Sequence, residues 1–126
     1  MDDFVMDAYP EGLVIKLAHV GINTESPAQS RAVAEKLARM FCTFVRSGNN
    51  SNFVSDMFEI VRFKGRGTHG HVGMVTNSVV QAVEYLGTLG IEADMSTAKY
   101  TPDGTLRHVY LKDEIQGFAF HINLIQ

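Results

Sequence analysis

Four side chains in this sequence are of the types that divalent metals select: His19, Glu59, His71 and His121. Two imidazoles and a carboxylate suffice to hold such an ion with positions left open for a substrate. Two of the four lie in a repeated string. His19-Val20-Gly21-Ile22-Asn23-Thr24-Glu25-Ser26-Pro27-Ala28-Gln29 aligns with His71-Val72-Gly73-Met74-Val75-Thr76-Asn77-Ser78-Val79-Val80-Gln81 at a constant offset of 52 residues. His, Val, Gly, Thr, Ser and Gln recur in register, and a helical pattern follows each copy. The expectation is a duplicated module whose two histidines face each other across a pseudo-twofold axis.

Side chains alternate along a strand, so the neighbours of each candidate tell which face it occupies. Phe118, Phe120, Ile122 and Leu124 share one face of the last strand, and Ala119, His121 and Asn123 share the other. Phe58 and Ile60 lie opposite Glu59. Val20, Ile22, Val72 and Met74 lie opposite His19, Gly21, His71 and Gly73. The bulky faces must pack under helices, so the four polar residues line the other side of the sheet. A carboxylate between Phe58 and Ile60 is costly to bury unless paired or metal-bound. The glycines two residues after each histidine are expected to leave room there for a ligand.

The elements that must position these groups follow from periodicity and punctuation. A strand is expected over 13–24 and a helix over 26–41, with Val33, Leu37, Met40 and Phe41 on its buried stripe. Ser26 and Gln29 form a capping box with Pro27 at the first helical position, and Ser78 and Gln81 repeat the box for a helix over 78–89. In that helix Ala82, Leu86 and Leu89 form the stripe, and Gly90 ends it. Further strands are expected at about 42–46, 53–63, 92–100, 105–112 and 117–125. Residues 1–12 read as an acidic lead-in. Gly65-Arg66-Gly67-Thr68-His69-Gly70 reads as a linker between the halves.

Taken together, Ala18-His19-Val20-Gly21-Ile22, Met57-Phe58-Glu59-Ile60-Val61, Gly70-His71-Val72-Gly73-Met74 and Phe118-Ala119-Phe120-His121-Ile122 resemble the vicinal oxygen chelate superfamily, the glyoxalase I and bleomycin-resistance fold, over about residues 16–126. The resemblance implies an α+β fold: two tandem βαβββ modules forming a cupped mixed sheet with helices on the outer face. That is a single domain over 1–126, with module one at about 13–63, a linker at 64–69 and module two at about 70–126. It implies metal ligation by His19, Glu59 and His71, with His121 on the fourth position, where glyoxalase I has Glu. That departure puts in doubt the base role of the glyoxalase I Glu, and leaves Glu59 or His121 to move a proton. More narrowly, Thr97-Ala98-Lys99-Tyr100, Tyr110-Leu111-Lys112-Asp113-Glu114-Ile115 and Gly117-Phe118-Ala119 are similar to glyoxalase-related domains associated with bacterial 2-keto-3-deoxy-6-phosphogluconate/4-hydroxy-2-oxoglutarate aldolases.

The function expected from this resemblance is a metalloprotein using Zn, Ni, Mn, Co or Fe. It would bind adjacent oxygens of a small keto or hydroxy acid and catalyse an isomerase- or lyase-type step through a metal-stabilised enediolate. The alternative is a non-catalytic ligand-binding or accessory domain of a sugar-acid aldolase. Strand edges need protection, and relatives commonly dimerise, so a homodimer is expected.

Composition bounds the rest. The chain has 126 residues, 45% apolar and 20% charged, with a net charge of −3 and no basic stripe, which argues against a nucleic-acid partner. No apolar run suits a membrane span. Cys42 stands alone and Met1-Asp2-Asp3 is acidic where a secretory signal is basic, so a cytoplasmic protein with Cys42 core-facing or inert is expected. Lys64 and Arg66 read as solvated linker charges, with an anion clamp as the other reading. His69 reads as a solvated linker histidine and His108 as exposed or rim-facing.

Overall fold

The computed structural model describes residue 4 and residues 8–126; the acidic start at residues 1–3 and part of the lead-in lie outside the described residues. The elements run β1 (Ile15–Asn23), α1 (Pro27–Phe41), β2 (Val45–Ser47), β3 (Ser51–Val54), β4 (Phe58–Val61), β5 (Gly70–Thr76), α2 (Val79–Thr88), β6 (Ala93–Tyr100), β7 (Leu106–Leu111) and β8 (Phe118–Leu124). They form one mixed eight-stranded sheet in the order β2-β3-β4-β1-β5-β8-β7-β6. β1 and β5 pair antiparallel at its centre, each with a parallel neighbour on its other side, β4 and β8 respectively. The protein is α+β, with two helices on one sheet.

Each helix has its own core beneath it. Ala34 and Ala38 of α1 pack with Val54 and Ile60, while Val79 and Ala82 of α2 pack with Val109, Leu111 and Ile122. Alternation then sends Glu59 and His121 to the opposite face of the sheet. Both helices start at serine caps: Ser26 Oγ accepts from the Gln29 amide at 3.1 Å, and Ser78 Oγ accepts from the Gln81 amide at 3.2 Å. The reciprocal half of the first box is displaced by one residue, because Gln29 Oε1 accepts from the Glu25 amide at 2.7 Å rather than from Ser26. At Ser78 the return bond is missing among the described residues.

Three local expectations change. The stretch 53–63 is two strands, not one: Ser55 takes φ +51° and the Met57 amide donates to Val54 O at 3.1 Å, a tight turn without glycine or proline. Cys42 is exposed and left-handed, capping α1 with its amide aimed at Ala38 O and Arg39 O, so β2 begins only at Val45. Val33 and Leu37 pack partly buried against the core as expected, but the buried residues of α1 are Ser30, Ala34 and Ala38, and Met40 is 67% and Phe41 49% exposed; Leu89, the cap of α2, is likewise exposed. Small residues let α1 lie close to the sheet. Ser30 uses the proximity: its hydroxyl donates to Ile60 O at 2.8 Å and accepts from Asn52 Nδ2 at 3.1 Å.

Ile60 and Ile122 are fully buried, one in each core. Truncating either to alanine should cost about 2–5 kcal/mol in urea unfolding, whereas Met40→Ala should change stability by less than about 0.5 kcal/mol.

Candidate metal centre

Sheet register assembles the site. Residues directly paired across strands share a face, and two such rows cross the sheet side by side. One runs Arg46, Phe53, Glu59, Gly21, His71, Ala119 through β2, β3, β4, β1, β5 and β8. The other runs His19, Gly73, His121, Tyr110, Asp94 through β1, β5, β8, β7 and β6. Each central histidine therefore lies across from a glycine of the other central strand. A methyl group built on Gly21 would fall inside the His71 ring, and one on Gly73 would fall inside the His19 ring. The expectation that these glycines make room for a ligand is corrected: the space is filled by the imidazole of the opposite strand. A bulge between Leu17 and His19 sets the register that brings this about.

All four sequence-predicted residues come together within one chain. His19 Nε2 and His71 Nε2 are 3.2 Å apart, and Glu59 Oε1 is 3.2 Å from His71 Nε2 and 3.9 Å from His19 Nε2. The His121 ring lies 5.3 Å from that of His19 and 5.4 Å from that of His71, centroid to centroid. Ligand atoms of the three histidines all lie within 4.8 Å of one another. Four-coordinate binding at 2.0–2.1 Å separates neighbouring ligand atoms by about 3.3 Å, so the spacing of the two Nε2 atoms and Oε1 fits a divalent ion. His121 Nδ1 is buried and has no hydrogen-bond partner among the described residues, a costly state that a bound cation would relieve.

The groups differ in exposure. His71 and His121 are buried, while the side chains of His19 and Glu59 are about a quarter exposed. Those two open onto a pocket of about 220 Å³ against β2–β4. A larger depression of about 490 Å³ beside Arg31, Arg39 and Cys42 on α1 holds no member of the cluster, so the smaller pocket is the one that chemistry can use.

Electrostatics follow from packing. The His71 imidazole and the Ser51 hydroxyl, which donates to Glu59 Oε2 at 2.8 Å, hold the Glu59 carboxyl down at about 2 against the opposing effect of burial. Burial, then the neighbouring His19 and His71, hold the His121 imidazole down at about 4. His19 is lowered by burial and by His71, with Glu59 pulling the other way. In the metal-free protein His19 and His121 are thus biased towards the neutral form that binds metals, and Glu59 towards its anion.

Several neighbours were not singled out for a site role from sequence. Ser51 positions Glu59, but falls between the strands expected at about 42–46 and 53–63. Tyr110 stacks edge-on against His121 at 5.3 Å, and the Arg66 guanidinium lies 4.1 Å over the Tyr110 ring while meeting Asp94 at 3.9 Å. His108 is partly buried, its Nδ1 2.6 Å from Asn123 Oδ1. Period-2 alternation already put Asn123 on the His121 face, and this was the available signal. His69 is exposed, as expected, but the linker is tied down: Asn23 Nδ2 donates to Gly67 O at 3.0 Å and its Oδ1 accepts from the Gly65 amide at 3.1 Å.

No family model and no curated protein matches the chain. Among solved structures it is similar to the crystal structure of a hypothetical protein from Bacillus halodurans C-125, with a TM-score of 0.59 and 12% identity, covering 89% of this chain and 95% of that one. At that identity the likeness concerns fold alone. Among the described residues no helix is long and apolar enough to cross a membrane.

Two outcomes are expected here. Below the unfolded imidazole value of 6.5 the unfolded chain takes up a proton that folded His121 refuses until about 4, so stability should fall through that window. The loss is on the order of 3 kcal/mol for metal-free protein, and Glu59 adds a further loss from 4.5 towards about 2. Urea midpoints measured from pH 8 to 3 check both, and His121→Gln should flatten the upper window. Separately, Gly21→Ala should lower the melting temperature by several degrees by expelling the His71 ring. Gly87→Ala in α2, where nothing lies within 4 Å, should add about 0.5–1 kcal/mol.

Proposed function

We propose that the protein is a metal-dependent protein of the vicinal oxygen chelate type, acting on a small keto or hydroxy acid in an isomerase- or lyase-type step. The observation that carries this reading is the convergence of His19 Nε2, His71 Nε2 and Glu59 Oε1 at spacings that suit a divalent ion, beside a buried, unpartnered His121 Nδ1. The element order supports the fold part of it. A strand, a helix and three strands occur twice in succession, and the sheet order β2-β3-β4-β1 is mirrored by β6-β7-β8-β5, as two tandem βαβββ modules would give.

His19, Glu59, His71 and His121 would hold the ion. When bound, a divalent ion such as Zn, Ni, Mn, Co or Fe supplies Lewis acidity to two adjacent substrate oxygens. The chain's own residues do the rest. Ser51 fixes Glu59 by occupying Oε2, leaving Oε1 towards the histidines. Buried His71 and His121 form the inner wall, and the quarter-exposed side chains of His19 and Glu59 form the entrance. Displaced from the ion, His121 would be the better proton acceptor of the two candidates: its Nδ1 has no partner, whereas Glu59 already accepts from Ser51 and meets His71.

Tag-free protein should bind one divalent ion per chain by elemental analysis. Metal at a hundred times its Kd should then raise stability by about 2.7 kcal/mol. Glu59→Gln and His71→Ala should each lose most of the metal and that stabilisation, and Ser51→Ala should weaken metal binding about tenfold. Wild type that binds none of Zn, Ni, Mn, Co or Fe and gains no stability from them overturns the reading.

A further inference from the structure

The two ends of the ligand rows are chemically different. Beyond His121 stand Tyr110 and then Asp94; Arg66, one of the cations on that side with Lys99 and Arg107, lies over Tyr110 with its charge met by Asp94. Beyond Glu59 stand Phe53 and then Arg46. The Arg46 guanidinium lies 4.4 Å over the Phe53 ring, and among the described residues it meets neither a carboxylate nor a hydrogen-bond acceptor. Stacking against an aromatic face holds a guanidinium in place while its N–H groups point sideways and stay available for a bidentate oxyanion. This cation belongs to a chain of net charge −3.

Arg46 also shares a cavity with the site. The pocket of about 220 Å³ is lined by His19, Glu59, Phe53, Arg46 and Asp56, with Ser55 and Phe58 completing its wall. Along the row, Arg46 is two strand spacings from Glu59, about 10 Å, with the Phe53 ring as an apolar floor between them. Such a pocket is below the size that drug-like ligands occupy and suits a small metabolite.

We propose that Arg46 is the specificity residue of this site, and that the substrate is a short acid bearing a second oxyanion. Its adjacent oxygens lie at His19, Glu59, His71 and His121, its hydrocarbon spacer crosses Phe53, and its distal carboxylate or phosphate is held by the Arg46 guanidinium. The orientation follows from the unmatched charge: at the opposite end Arg66 is already met by Asp94, whereas Arg46 meets no carboxylate among the described residues. This rests on the metal-site reading above.

The test uses metal-loaded wild type, Arg46→Ala, Arg46→Lys and Arg66→Ala, titrated by calorimetry with pyruvate, 2-oxoglutarate and 3-phosphoglycerate. Metal content and melting temperature are recorded on the same samples. Wild type is expected to bind at least one of the two longer acids about tenfold to a hundredfold more tightly than pyruvate. Arg46→Ala should lose that margin while keeping its metal, its melting temperature and its pyruvate affinity. Arg46→Lys should retain part of the margin, and Arg66→Ala all of it. Preference for 2-oxoglutarate marks the distal group as a carboxylate, and preference for 3-phosphoglycerate marks it as a phosphate. Wild type that holds metal but does not discriminate among the acids, or Arg46→Ala that still discriminates, overturns the role of Arg46 and leaves the metal centre standing. Wild type that holds no metal overturns both.

Discussion

The antiparallel register of β1 against β5 is the constraint on which the site depends. It sets His19 opposite Gly73 and Gly21 opposite His71, so each imidazole fills the space over the glycine of the other strand. Without a side chain at either glycine, two rings that project from one sheet face can turn inward until their Nε2 atoms meet at 3.2 Å. A shift of one residue would send both histidines through to the helix side. Neighbouring strands extend the arrangement. β4 delivers Glu59 beside Gly21, and β8 delivers His121 beside Gly73, so the two parallel pairings add one further ligand each.

That shared frame carries unlike chemistry on its two wings. On one side a carboxylate sits next to Phe53 and an unpaired arginine; on the other an imidazole sits next to a tyrosine and an arginine already matched by Asp94. The carboxylate wing is the more open, since Glu59 and His19 face the pocket while His121 is buried. Glu59 and His19 thus border the opening, and the His121 imidazole lies deeper, away from bulk water.

Much of this was legible in the sequence because it follows from period and repetition. The repeated His-Val-Gly string gave the two central strands, alternation put Glu59 and His121 opposite the apolar residues, and the serine caps marked both helix starts. The features that escaped are those set by tertiary contact. The role of Gly21 and Gly73 depends on which residue lies across from them, which one strand does not encode. The turn at Ser55 uses a left-handed serine where sequence reasoning looks for glycine or proline, so two strands read as one. The stripe of α1 falls on Ser30, Ala34 and Ala38 because helix and sheet approach closely, whereas a hydrophobicity pattern ranks Met40 and Phe41 above them. Ser51 falls between the strands expected at about 42–46 and 53–63, so the donor that fixes Glu59 was out of view.

The energetics of the cluster separate a site from a merely polar core. Elsewhere in the sheet buried polar side chains are fully partnered: Ser30 joins Ile60 O and Asn52, and Thr24 donates to Val61 O. In the cluster they are not. Two imidazoles meet one carboxylate and a third lies beside both, protonation of His19 and of His121 is opposed by burial, and one buried nitrogen is left without a partner. Apolar residues of similar volume at these positions would fold at least as well, because an unpaired buried polar group costs about 1–3 kcal/mol. Stability alone therefore does not account for His19, His71 and His121, and the proposed ion would turn the crowding of their lone pairs from a cost into a source of binding.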